Sequence, residues 1–153
     1  MKKEDLLQKE VEQLLIDINF IDQYQKLSDT YPRYADHFDY RAQDILEVGE
    51  QMGIHLKRYE VHEFFADYEE LGEFQFRIGL NAKYCIAEFH LWIVNEKRGI
   101  NSGGSYGLLV QLLTDWRVRV KNPGFENTSE LRNLLKDGFQ LYDDIKKAVV
   151  ERL

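Results

Sequence analysis

Along residues 7–27 apolar side chains recur in steps of four and three: Leu7, Val11, Leu14, Ile18 and Ile21, with Leu15, Tyr24 and Leu27 widening the stripe. That spacing predicts one long amphipathic helix, with Glu4, Glu12, Asp17 and Asp22 largely off the stripe. The stretch "SDTYP" ends it, because Pro32 restricts its own backbone and that of the residue before it. A second helix is expected from Pro32 to Met52, lined by Tyr34, Phe38, Ala42, Ile45 and Met52, with Gly53 as its C-terminal cap. Together the two read as a helical hairpin.

After Gly53 the period shortens to two. "IHLKRYEVHEFF" reads as one untidy strand and "EFQFRIGL" as a clean one, with Phe74, Phe76, Ile78 and Leu80 alternating with Glu73, Gln75, Arg77 and Gly79. "KYCIAEFHLWIV" is apolar enough for a central strand. A turn at Asn81-Ala82 would set Phe76 opposite Ala87 and Phe74 opposite Phe89. This register gathers Phe74, Phe76, Ile78, Cys85, Ala87, Phe89, Leu91 and Ile93 on one face. The other face receives Glu73, Gln75, Arg77, Tyr84, Ile86, Glu88, His90 and Trp92.

"LLVQLLTDW" fits a short helix or a buried strand, and "WRVRVK" alternates like a strand whose Arg117, Arg119 and Lys121 would guard an edge. Asn127 and Glu130 resemble a capping box that opens a last helix striped by Leu131, Leu134, Leu135, Phe139, Tyr142, Ile145 and Val149. The order predicts a single α+β domain over 1–153: an N-terminal helical hairpin, a central antiparallel sheet of about three to five strands, and a C-terminal amphipathic helix packed on the sheet.

Charge changes the picture of partners. Residues 1–72 hold 8 Lys and Arg against 17 Asp and Glu, a net of −9; residues 73–153 hold 12 against 10, a net of +2. An acidic front half repels phosphates, so no nucleic-acid partner is expected, while docking to a basic protein is permitted. The single cysteine, Cys85, allows neither an intramolecular disulfide nor a cysteine-based zinc site, and fits a cytoplasmic setting. No segment has the length or apolarity of a membrane helix or of a secretory leader.

Candidate chemistry is sparse. "GGSYG", residues 103–107, fits the G-x-S-x-G pattern of hydrolase nucleophiles, but all four His, at 37, 55, 62 and 90, precede Ser105. The preceding strand is also expected to stop near Val94, too early for a strand–Ser–helix elbow. The run 95–107 reads instead as a flexible flap, with Lys97, Arg98 and Tyr106 as contacts for a partner. It lacks the phosphate-loop pattern, because its basic pair precedes the glycines. His55 and His62 would point to opposite faces of one strand, and His37, Arg41 and Asp44 would share a helix surface, so neither set forms a metal site. No metal and no cofactor is expected.

The polar sheet face is the most informative constellation. Glu73 is expected opposite His90, with Glu88 beside it and Arg77 diagonal, flanked by Tyr84 and Trp92. A carboxylate next to His suits acid–base chemistry, which makes Glu73, Glu88 and His90 the candidate catalytic residues of a small enzyme. Aromatics mixed with charges suit a protein-binding surface better, with Arg77, Tyr84, Glu88, His90 and Trp92 as contacts. The reading that follows is a small acidic domain that sequesters or neutralises a protein partner, as an immunity protein, inhibitor or adaptor does. A structural homodimer seamed along the first helix is the remaining alternative.

Overall fold

The computed structural model describes residues 2–153. Its helices are α1 (Lys3–Leu6), α2 (Lys9–Asp17), α3 (Phe20–Thr30), α4 (Ala42–Gln51), α5 (Tyr106–Leu113) and α6 (Thr128–Arg152). Its strands are β1 (Leu56–Glu60), β2 (Glu63–Ala66), β3 (Glu69–Leu71), β4 (Phe74–Asn81), β5 (Glu88–Asn95) and β6 (Ile100–Ser105). The strands form one antiparallel sheet in the order β1-β2-β4-β5-β6, with β3 pairing β4 beyond the end of β2. The chain has the expected α+β architecture, with helices at its start and α6 laid across the sheet.

Alternation decides which sheet face is buried. Phe76, Ile78, Phe89, Leu91, Ile93 and Ile100 are at most 1% exposed and meet the helices. The 25-residue α6 supplies Leu131, Leu134, Leu135, Phe139, Ile145 and Val149 to the same core. Its closest approach is at Gly138, where the Phe89 ring occupies the space a Cβ would need: the ideal Cβ position is 2.0 Å from Phe89 Cζ. Tyr106 stacks on Phe89 and meets Phe20 and Tyr24 edge-on, with its hydroxyl donating to the Gly138 carbonyl.

Several local expectations change. The first helix is broken twice: the Gln8 backbone donates to Ser102, and Asn19 adopts left-handed φ 58°, turning Phe20 and Tyr24 into the core. Of that stripe Leu7, Val11, Leu14, Leu15, Tyr24 and Leu27 are buried in the chain's own core, and Ile18 and Ile21 pack partly buried against it. The second helix begins only at Ala42. Residues 31–35 instead bond back to 124–125, with Gly124 donating to the Tyr31 carbonyl and Ala35 to that of Phe125. His37 consequently lies off any helix, although Arg41 does pair with Asp44 at 3.2 Å.

"IHLKRYEVHEFF" is two strands, because the chain turns at Val61-His62, where the Arg58 guanidinium donates to the Val61 carbonyl. "WRVRVK" is irregular, since Asp115 and Trp116 take positive φ and close the end of α5. The 95–107 flap is mostly an edge strand. A short 3₁₀ turn and the left-handed Gly99 fold the chain back as β6, and the Gln8 side chain accepts from the Asn101 amide on its outer edge.

Candidate functional site

The β4–β5 register differs from expectation by six residues. Phe76 faces Ile93 rather than Ala87, and Leu80 faces Phe89. Residues 82–87 are not strand but a bulging connection, in which Ala87 donates to the Pro123 carbonyl and Phe125 to that of Cys85. A shift by an even number keeps the β4 and β5 side chains on their expected faces, so the apolar segregation survives while all the cross-strand neighbours change.

On the opposite sheet face Arg77 consequently lies across from Trp92, and His90 lies opposite Gly79 on one side and Ser105 on the other. The Arg77 guanidinium carbon sits 4.9 Å from the centre of the Phe65 ring, 5.3 Å from Trp92 and 5.5 Å from Tyr68. Its Nε donates to the Ala66 carbonyl at 2.9 Å, and among the described residues no carboxylate pairs with it. The stripe continues outward through Tyr59 against Phe65, and along β5 through His90 stacked on Trp92.

Two glycines flatten this stripe. Gly79 pairs with Phe65, and Gly103 pairs with Trp92. Added Cβ atoms would come within 2.5 Å of the Phe65 ring and 3.1 Å of the Trp92 ring. Each aromatic lies over a bare backbone, an arrangement that shields a strand glycine and orients the ring. Reading 54–65 as one strand hides the place of Phe65 in β2, and Tyr68 lies beyond that run. The available signal was the pairing of glycines at strand-interior positions with aromatics on neighbouring strands.

His90 Nε2 bonds Glu88 Oε1 at 2.7 Å, and Asn122 reaches the other Glu88 oxygen at 3.5 Å while accepting from Tyr24. The bond from His90 holds the Glu88 carboxyl below the usual glutamate range, against an opposing push from burial. A cleft of about 510 Å³ opens beside this pair, lined by Glu88, Ser105, Gln111, Arg119 and Asn122. β6 runs straight into α5 at Ser105, so the strand–Ser–helix order absent from the sequence reading does occur. Ser105 has an unstrained backbone (φ −66°, ψ 155°), and its hydroxyl caps α5 by accepting from the Leu108 amide.

Other candidates are dispersed. Glu73 sits in the exposed turn before β4, within 3.6 Å of Lys97 and away from His90. Arg98 is held by Glu10 and the Leu153 carbonyl, and packs over Phe74. Tyr106 is fully buried and is removed from the surface contacts. Tyr84 is 72% exposed on the 82–87 bulge, where it and Cys85 both take left-handed backbone. It stands apart from the Arg77 stripe. Burial pushes the Cys85 thiol up, and its hydrogen goes to the Phe38 carbonyl.

The front-half acidity is partly consumed internally. Arg98 pairs with Glu10, Arg132 with Asp44 and Glu47, and Lys146 with Glu69. Among the described residues no group of three or more His, Cys, Asp and Glu is arranged to hold a metal ion, and no helix is long and apolar enough to cross a membrane. Compared with protein-family models, with curated proteins and with solved structures, the chain matches none.

Proposed function

We propose that this protein is a binding domain that sequesters or neutralises a protein partner, docking it on the open face of its sheet. The observation that carries the reading is the Arg77 stripe. A cation that no carboxylate among the described residues bonds lies among Phe65, Tyr68 and Trp92 on a face backed by a packed core. Arg, Trp and Tyr are the residue types that dominate binding energy at protein interfaces, and rings fixed over glycines lose little freedom on docking. A photo-crosslinking residue at Gln75, beside the stripe, tests this in the cells that make the protein. The expected result is one covalent protein adduct, lost on Trp92→Ala and absent with the crosslinker at Lys136 on α6. Equal labelling from both positions sinks the reading.

The alternative is a small enzyme at the Glu88–His90 pair, supported by the 2.7 Å bond beside the cleft. A carboxylate that accepts from His90 orients the ring for proton transfer. Its test is a substrate screen in which any turnover must be lost in both Glu88→Gln and His90→Ala.

A further inference from the structure

Arg77 is half-buried, and its three neighbouring rings displace water from the faces of the guanidinium. Only Nε has a protein acceptor, the Ala66 carbonyl; neither terminal nitrogen is matched by one among the described residues. A partly desolvated cation with unused donors retains strong affinity for an anion. The acids nearby bond to other groups rather than to Arg77. Asp67 pairs with Lys57 at 2.9 Å, Glu88 with His90, and Glu70 accepts from Gln75. Asp67 feels the Arg77 charge through space, yet among the described residues no carboxylate bonds Arg77, so both terminal nitrogens keep their donors free.

We infer that Arg77 anchors a carboxylate side chain from an acidic segment of the docked protein. This rests on the docking reading above and gives the partner its chemistry. A carboxylate matches the guanidinium fork through two parallel hydrogen bonds. The chain's net charge of −7 opposes the approach of an acidic segment at long range. Recognition is then a contact event rather than a steered one. Added salt screens the repulsion and does not slow association.

The test uses the full isotope-labelled chain and a blocked peptide of alternating Glu and Gly, with its Gln counterpart as control. The Glu peptide is expected to move the Arg77 Nε–H and Trp92 indole resonances saturably. Replacing its Glu by Gln weakens the response by about tenfold, the scale of a charge-assisted hydrogen-bond pair. In the protein, Arg77→Gln weakens the Trp92 response by a similar factor, with unchanged helix-layer amides reporting an intact fold. Arg77→Lys keeps the charge, loses the fork and falls between the two. Equal responses to the Glu and Gln peptides, or a Trp92 response that Arg77→Gln leaves unchanged, overturn the inference. A crosslinked partner that binds Arg77→Gln as tightly overturns it while leaving the docking reading in place. A Glu-specific response with no crosslinked partner supports the carboxylate site and removes only the docking reading. Self-association through this face, abolished by Arg77→Glu and without any peptide response, assigns the face to a second copy and overturns the inference.

Discussion

Ser105 and His90 face each other across β6 and β5, yet no hydrogen bond joins them: the serine accepts the Leu108 amide hydrogen, and the His90 ring goes to Glu88. The serine of the G-x-S-x-G pattern is thus the helix cap that starts α5. Ser105→Ala is expected to cost about 1 kcal/mol in urea unfolding, whereas Ser105→Asp retains most of the stability, because its carboxylate also caps.

The contact between Gly138 and Phe89 sets the height of α6 above the sheet. In an exposed helix Gly→Ala is worth up to about 1 kcal/mol of added stability. Here the new methyl would collide with a buried ring, and overpacking of about 2–3 kcal/mol wins. Gly138→Ala should lower the urea midpoint, and Phe89→Leu combined with it should recover part of the loss. Strict additivity of the two substitutions would rule out the collision.

Glu88 predicts a pH dependence. Its folded-state pKa is lowered, chiefly by the bond from His90, so its stabilisation is present above the ordinary value of 4.5 and fades as pH falls through the lower folded value. The stability difference between the natural chain and Glu88→Gln should therefore shrink as unfolding is repeated at pH values descending from 4.5. A difference that holds constant to low pH would separate Glu88 from the effect.

Gln8 plugs the outer edge of β6, accepting from the Asn101 amide and the Ser102 hydroxyl while its own amide donates to Ser102. Gln8→Ala leaves that edge open to water. Amide exchange at Asn101 should accelerate, with a stability loss of about 1 kcal/mol, and amides in the middle of β5 should keep their relative protection.

How far these features could be read from residues alone depended on the range of the interaction. The period of Phe74 to Leu80 and the stripe of α6 are local, so both elements and their buried faces were foreseen. The partner of each strand residue was not. The connection at 82–87 is held by backbone bonds to Pro123 and Phe125, more than thirty residues away, and nothing in the Asn81-Ala82 dipeptide announces them. The candidate site divided in the same way. Arg77, Glu88, His90 and Trp92 share the expected face because alternation assigned it. Glu73 fell away and Phe65 entered because those places depend on register. Ser105 changed role for a related reason: a glycine-rich run looks flexible until β5 offers a ladder and Trp92 covers Gly103.

The position of α6 also governs the order in which the protein can be completed. Residues 128–152 are synthesised after all the elements they cover, and they touch α2, α3, α4 and β4. Until they emerge, Phe76, Phe89 and Leu91 lie on a sheet whose apolar side lacks its longest cover. A nascent chain halted before Thr128 displays that greasy surface to chaperones and to other unfinished chains, so the helix that seals the core last also ends the interval of greatest aggregation hazard.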